Sequence, residues 1–524
     1  MKKLMLVIIL FIASALRLWN LGVVPPSPDW DEVALGYNAY SILKTGRDEY
    51  GTFLPVSLRS YDDYKPPLYA YLTIPSIAIF GLNTPAVRLP SVIMGVFAVL
   101  GTYYLVQTLF SSPSLSLLAA FLLAISPWHI QFSRIAFEAN TGVTLNIWAL
   151  ILFFKGLRKP IWLSASAMLF ALGLYAYHSE RIFVPLLVII LAIIYRKELF
   201  KNKKALIFPA LVGLLTIAPL IRVFSDPNTL TRLRGTSSLA DETALLSRSV
   251  QKLEDDAVNG NPWGIIFDNR RIVWAKTLLD GYLSHFSFRW LFLTGDNPRH
   301  HAPGMGLVYL WELPFLLWGM YTLFHNGGKQ SRFLFGWFLI APIAASPTTE
   351  LPHAIRSIVF LPTFQIFTAI GLIELSKYRK IILPLLAIIA LNIFYFLHLY
   401  FGHTNNEVSQ FWQYGYKQAV EYAKLHKGEY KKIVVSTELE QPHMFFLYFL
   451  KYDPVLYLTE GGTASGGFEE MRNRFDIYEF RPIDWGNELR DGSTLYIGTP
   501  YEIADSVIYT IYYLDGAEAI RIAK

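Results

Sequence analysis

Three carboxylates crowd into residues 26–40, PSPDWDEVALGYNAY: Asp29, Asp31 and Glu32, directly after the first hydrophobic run. A second group follows at 61–69, YDDYKPPLY, where Asp62, Asp63 and Lys65 precede two prolines. Together they could do acid–base work beside a held anion. A carboxylate takes a proton, while a lysine on a stiffened backbone meets a phosphate as a point charge. Plainer readings compete. Acids suit the start of a helix at EVALGYNAYSIL as cap and first-turn residues, and a lysine at a membrane surface can simply snorkel.

Further ionisable groups lie in short polar stretches between apolar runs. SPWHIQFSRIAFEAN (126–140) supplies His129, Arg134 and Glu138. Arg134 and Glu138 are four apart, so on a helix they share a face and could pair with each other. YHSER (177–181) adds His178, Glu180 and Arg181; GDNPRHHAPGMG (295–306) adds Arg299, His300 and His301; SPTTELPHAIRS (346–357) adds Glu350, His353 and Arg356. No HExxH or comparable ligand spacing occurs. A divalent metal is therefore admissible but not indicated, and no cofactor is required. With no cysteine in the chain, disulfides, thiolate metal sites and cysteine nucleophiles are excluded.

The elements that must position these groups are apolar. Only 16% of the 524 residues are charged and 53% are hydrophobic, against roughly a quarter charged in soluble proteins, so lipid is the expected solvent. The formal net charge of +6 sits in short loops, which makes nucleic acid a poor partner. The opening MKKLMLVIILFIASALRLWNLG has signal-peptide features, but the many equal apolar segments after it favour an uncleaved anchor. Spans are expected near 4–22, 86–109, 114–132, 140–156, 161–178, 181–195, 205–222, 304–324, 332–347, 355–375 and 381–400. The stretch 66–81, short and broken by Pro75, is ambiguous by itself.

Loop charges decide it. If 66–81 lies along the outer face, Lys2, Lys3, Lys155, Arg158, Lys159, the run YRKELFKNKK (195–204), Lys329, Arg332 and SKYRK (376–380) all fall inside, as the positive-inside rule asks. The expected fold is mainly α: a polytopic membrane protein of about eleven transmembrane helices with outer-face juxtamembrane helices. The long outer loop 223–303 ends in an aromatic, amphipathic stretch suited to a helix in the interface. Composition shifts near residue 403. A strand at KKIVVST (431–437), a helix at QPHMFFLYFLKY, a strand at STLYIGTP (493–500) and a hairpin about Asp515-Gly516 predict a small C-terminal α/β extracytoplasmic domain. The expected division is 1–402 and 403–524. The ionisable groups named above then all lie at outer helix ends, which suits a lipid-linked anion.

WDE (30–32), DYKPPLY (63–69) and SRIAFE (133–138), in that order, resemble the GT-C membrane glycosyltransferases, in the branch of protein O-mannosyltransferases and lipid A aminoarabinose transferases. The resemblance covers roughly residues 1–400. It implies transfer of a sugar from a polyprenyl-phosphate donor to a lipid, glycan or protein acceptor outside the cytoplasm, at the plasma membrane. It also implies that Asp31 is the essential acid and general base, Glu32 its partner, and Lys65 the lysine near the lipid phosphate, helped by Arg134 and Arg356. Asp63, Tyr64, Glu138, His300, His301 and His353 are implied more loosely as substrate-binding groups. Aminoarabinose transferases carry a metal-binding glutamate just before that lysine; this chain has Tyr64 there, which removes that ligand. The principal alternative is a transporter or flippase for a lipid-linked glycan, which would show repeated halves and charges at the bilayer midplane; no repeat is visible. A lipid-linked polysaccharide polymerase or ligase, or a scaffold presenting residues 403–524, are the other rivals.

Overall fold

In the computed structural model the described residues are 1–61, 63–224, 237–239, 242–375, 379–464 and 473–524. Every segment expected to span contains a helix. The first nine helices are α1 (Lys2–Leu18), α2 (Trp30–Thr45), α3 (Leu68–Phe80), α4 (Thr84–Phe110), α5 (Pro113–Ile125), α6 (Pro127–Arg134), α7 (Ala139–Gly156), α8 (Ile161–Gly173) and α9 (Glu180–Ile194). Helix α3 has 13 residues, or roughly 20 Å at 1.5 Å per residue, short of the ~30 Å hydrocarbon core.

Four helical stretches are long and apolar enough to cross a membrane: Thr84–Phe110, Lys203–Val223, Ile358–Leu375 and Leu383–Trp412. The pair α5 and α6 makes a fifth if counted as one span bent by 59°. The bend has a local cause. Ser126 precedes Pro127, whose ring pushes the residue before it out of the helical region, and Ser126 sits at φ −60°, ψ 122°. The chain is a membrane protein; clear spans among the described residues number four or five by length and composition, and the other helices of the expected eleven are shorter or interrupted.

The C-terminal region forms a six-stranded sheet in the order β4-β5-β3-β6-β8-β7. Strand β3 (Lys432–Val435) lies parallel to both β5 (Tyr478–Phe480) and β6 (Thr494–Gly498). β4 (Arg474–Phe475), β7 (Val507–Tyr512) and β8 (Glu518–Ala523) pair antiparallel at the two edges. The expected strands, the helix Pro442–Leu450 and the Asp515-Gly516 hairpin are all present; Gly516 takes the left-handed φ of 91° the turn needs. The two-residue β4 and three-residue β5 carried no readable alternation.

Two compact units emerge. The first is residues 1–100, 129–144 and 387–524; the second is 101–128 and 145–386. In the first, the sheet shares one core with α2: Val33, Tyr37, Val87, Phe445, Tyr448, Ile433 and Ile520 are buried in it together. The approach is close enough to require Gly36, where a Cβ would stand 2.7 Å from a Val87 methyl and 2.9 Å from the Tyr448 ring. In the second, helices Glu312–Asn326 and Thr363–Leu375 pack backbone to backbone at Gly319 and Gly371, where a Cβ would meet the Phe367 and Phe315 carbonyl oxygens at 1.8 and 2.0 Å. Small residues permit this kind of helix contact in lipid.

Candidate active site

The three acids after α1 have different tasks. Asp29 is the N-cap of α2: its Oδ1 accepts from the Glu32 N–H at 3.0 Å, and the Asp29 N–H donates to Glu32 Oε2 at 3.3 Å. This reciprocal capping box satisfies two donors that a helix start leaves open. Glu32 is wholly buried, and so is Arg88 on α4. Arg88 Nε and Nη2 donate to Oε1 and Oε2 of Glu32, both at 2.8 Å. Its remaining N–H groups go to the carbonyls of Leu21, Pro25 and Ser27, so the guanidinium's five donors are all used. The Ala136 N–H donates to Glu32 Oε1 at 2.8 Å. Glu32 thus fastens the start of α2 to α4 and to the 134–138 turn. The resemblance implies a catalytic partner at this position; in the structure its carboxylate is buried and paired with Arg88.

Asp31, the residue between these two fixed acids, keeps a third of its side chain exposed. It forms an ion pair with Lys65, whose side chain is only 7% exposed. Lys65 ends β2 (Asp63–Lys65), which pairs antiparallel with β1 (Leu58–Ser60). Tyr61, next to this hairpin's turn, donates its hydroxyl to the Trp30 carbonyl at 2.8 Å, and its ring lies 6.0 Å from the ammonium. Hairpin and following prolines, both buried, hold the lysine against the acid. Tyr64 is half-buried. Asp62 and the Asp63 side chain lie outside the described residues. Glu138 is buried immediately before α7, in the same compact unit.

Arg134 is also fully buried. Its Nη1 donates to the carbonyls of Leu16 (2.8 Å) and Arg17 (3.0 Å), and its Nη2 to those of Asn20 and Val24. It serves the carbonyl end of α1, where a cation is favourable. It makes no ion pair with Glu138 among the described residues, although four positions separate them. Both Nη groups donate to backbone carbonyls. Sequence reasoning missed Arg88. The readable signal was an arginine inside the apolar run TPAVRLPSV, where an uncompensated charge is costly.

His300, His301 and His353 belong to the second unit. His300 Nδ1 lies 3.0 Å from Asp296 Oδ2, and the Ala354 N–H donates to the same oxygen. The His300 and His353 rings are 5.1 Å apart. Burial raises the Asp296 carboxyl, but the His300 contact and the Ala354 N–H outweigh it and hold the group at about 2. Burial pushes both the His300 and His353 imidazoles below their ordinary value. Asp296, which sequence reasoning passed over, offers a ligand oxygen within 4.8 Å of ligand nitrogens on His300 and His353. His301 has both ring nitrogens against carbonyl oxygens, of Ala302 and Asp296. Arg356 Nη1 donates to Thr348 Oγ1 and the Thr349 carbonyl, pinning its own loop.

Comparison with known proteins agrees with this architecture. Residues 64–222 match the family model of dolichyl-phosphate-mannose-protein mannosyltransferase. The fold is similar to that of ArnT from Cupriavidus metallidurans (TM-score 0.56, 11% identity, 98% of this chain and 96% of that one). The same enzyme bound to undecaprenyl phosphate gives 0.55, at 12% identity, over 99% and 97%. The archaeal oligosaccharyltransferase AglB from Archaeoglobus fulgidus, in complex with an inhibitory peptide and a dolichol-phosphate, gives 0.51 at 13% identity over 86% of this chain and 63% of AglB. The chain therefore spans less than two thirds of that oligosaccharyltransferase's length. No functionally curated protein matches by sequence.

Proposed function

We propose that this chain is a membrane glycosyltransferase of the mannosyltransferase and ArnT branch, and that it moves a sugar from a polyprenyl-phosphate donor to an acceptor on the extracytoplasmic side, with inversion; the family-model match over residues 64–222 and the ArnT-like fold support this reading. The observation that carries this reading is the Asp31–Lys65 pair: a partly exposed carboxylate against a sheltered ammonium, both on braced backbone. The donor phosphate competes with Asp31 for Lys65. Once Lys65 turns to the phosphate, the Asp31 carboxylate is free to accept a proton. The acceptor's hydroxyl (or other nucleophile) gives that proton to Asp31 as its atom bonds the anomeric carbon. The bond from that carbon to the phosphate oxygen breaks, and polyprenyl phosphate leaves with the electron pair. The transition state is oxocarbenium-like, as in glycoside hydrolysis, and the departing charge is met by Lys65. One displacement inverts the anomeric centre. Bound dolichol-phosphate and undecaprenyl phosphate in the two relatives support this donor class.

The direct test is transfer from a panel of radiolabelled polyprenyl-phosphate sugars in membranes containing the protein. Within it, Lys65→Ala is expected to raise the donor KM by about 10- to 100-fold, since a hydrogen bond to a charged group contributes about 1.5–3 kcal/mol. Lys65→Arg should recover part of that loss. An unchanged donor KM in Lys65→Ala would remove the lysine from the phosphate site.

The same reading sets the topology: about eleven spans, the N-terminus in the cytoplasm of a plasma membrane, and residues 403–524 outside. Since the chain has no cysteine, single introduced thiols report sidedness cleanly. An impermeant maleimide added to intact cells should label Glu460→Cys and leave Phe200→Cys untouched until the cells are opened. The reverse pattern would place the Asp31–Lys65 pair on the wrong side for a lipid-linked donor presented outside.

A further inference from the structure

We infer that Asp296, His300 and His353 bind a divalent transition-metal ion of the zinc class, which clips the loop after the interfacial helix Arg270–Ser284 to the 346–357 loop. The three side chains offer one ligand atom each, all within 4.8 Å of one another. In a tetrahedral zinc site, ligand atoms about 2.0–2.2 Å from the ion stand roughly 3.3–3.5 Å apart. Asp296 Oδ2 and His300 Nδ1 are already at 3.0 Å, so closure asks only for small side-chain rotations. His353 points independently to a ligand: it is 8% exposed, and its Nδ1 is buried with no hydrogen-bond partner. A buried imidazole nitrogen of that kind costs free energy unless something accepts its lone pair or proton.

The surroundings favour ligation. The Ala354 N–H fixes the Asp296 carboxylate, and the His285 Nε2 accepts from the His353 N–H while its Nδ1 faces the Gly281 carbonyl at 2.7 Å. The backbone of both loops is thus braced as outer-shell partners brace known metal sites. Arg299 and Arg356 lie near and oppose a cation, and the single carboxylate offsets this only in part. Two imidazoles and one carboxylate select zinc, cobalt or nickel over magnesium or calcium, which prefer all-oxygen sites. Three protein ligands leave one position for water. The site stands independently of the sugar transfer proposed above, and no linear motif announces it, since its ligands come from separate loops.

The test uses the full-length protein in detergent, purified without a histidine tag. It carries His398→Ala and His403→Ala, which remove an exposed histidine pair with ring nitrogens 3.1 Å apart. After chelator treatment and dialysis against zinc chloride, about one zinc per chain is expected by elemental analysis, with a rise in melting temperature. In the same background His300→Ala/His353→Ala should lose both the zinc and the rise. Cobalt(II) in the parent protein should give the intense visible absorption of a four-coordinate ion, abolished by the isosteric Asp296→Asn. Near-zero zinc in the parent, zinc retained by the double variant, or a featureless cobalt spectrum each overturns the site. The cobalt reading on the parent decides the matter even if the variants fail to fold.

Discussion

The Asp31→Asn enzyme is expected to lose sugar transfer by about 10²- to 10⁴-fold, the usual worth of a positioned general base, while its melting temperature stays close to that of the parent. The two halves of this expectation come from one geometric fact. Asp31 is the acid of the cluster that remains partly exposed, and water at its open side screens the pair with the sheltered Lys65, so losing its charge costs less stability than breaking a fully buried pair. Asparagine keeps the size and the hydrogen bond to Lys65 but takes no proton. Radiolabelled transfer in membranes, with expression and melting checked alongside, reads both halves. Loss of transfer with a stable protein assigns the base. Undiminished transfer moves the base elsewhere, and Glu138, buried before α7 in the same unit, is then the next carboxylate to replace.

Arg88→Leu should do the opposite: stability falls sharply before chemistry is touched. Removing one partner of a buried ion pair typically costs about 3–5 kcal/mol, because the other charge is left uncompensated. Here the loss also orphans the carbonyls of Leu21, Pro25 and Ser27 and leaves Glu32 with only its two backbone N–H contacts. The expected result is little folded protein after detergent extraction, or a melting temperature lowered by many degrees. Arg88→Lys should recover little, since an ammonium does not reproduce a fork serving five acceptor sites. Glu32→Gln keeps both backbone contacts and should be the milder change. If Arg88→Leu melted normally yet transferred no sugar, the buried pair would belong to the chemistry rather than to the frame.

These two residues also mark how far the sequence could be read. The helix start at Asp29 and Glu32 was legible because a capping box is local, fixed by a spacing of three. The apolar helices, the short α3 with its Pro75 and the Asp515-Gly516 hairpin were legible for the same reason. Asp31 and Lys65 were singled out separately, and the structure brings them together. Arg88 was not singled out, because its partners come from the 21–27 stretch and α2, and nothing in TPAVRLPSV itself says which carboxylate will meet it. Arg134 illustrates the converse. Its four-residue spacing to Glu138 suggested a helix pair, but α6 ends at Arg134, the periodicity stops there, and the guanidinium turns to α1. For the spans, hydropathy marks the apolar runs, while their breaks at Pro127 and elsewhere depend on backbone geometry.

The core shared by α2 and the C-terminal sheet limits how this protein can be dissected. Removing residues 403–524 would strip cover from Val33, Tyr37 and Val87 and loosen the helix that carries Asp31. An inactive truncation would then say nothing about acceptor choice. A domain swap with a relative meets the same obstacle, because Gly36 and Tyr448 fit each other as one matched surface. Recombinants that exchange acceptor preference will have to carry residues 30–45 together with 413–524 as a single inherited block, or confine their changes to the solvent face of β7.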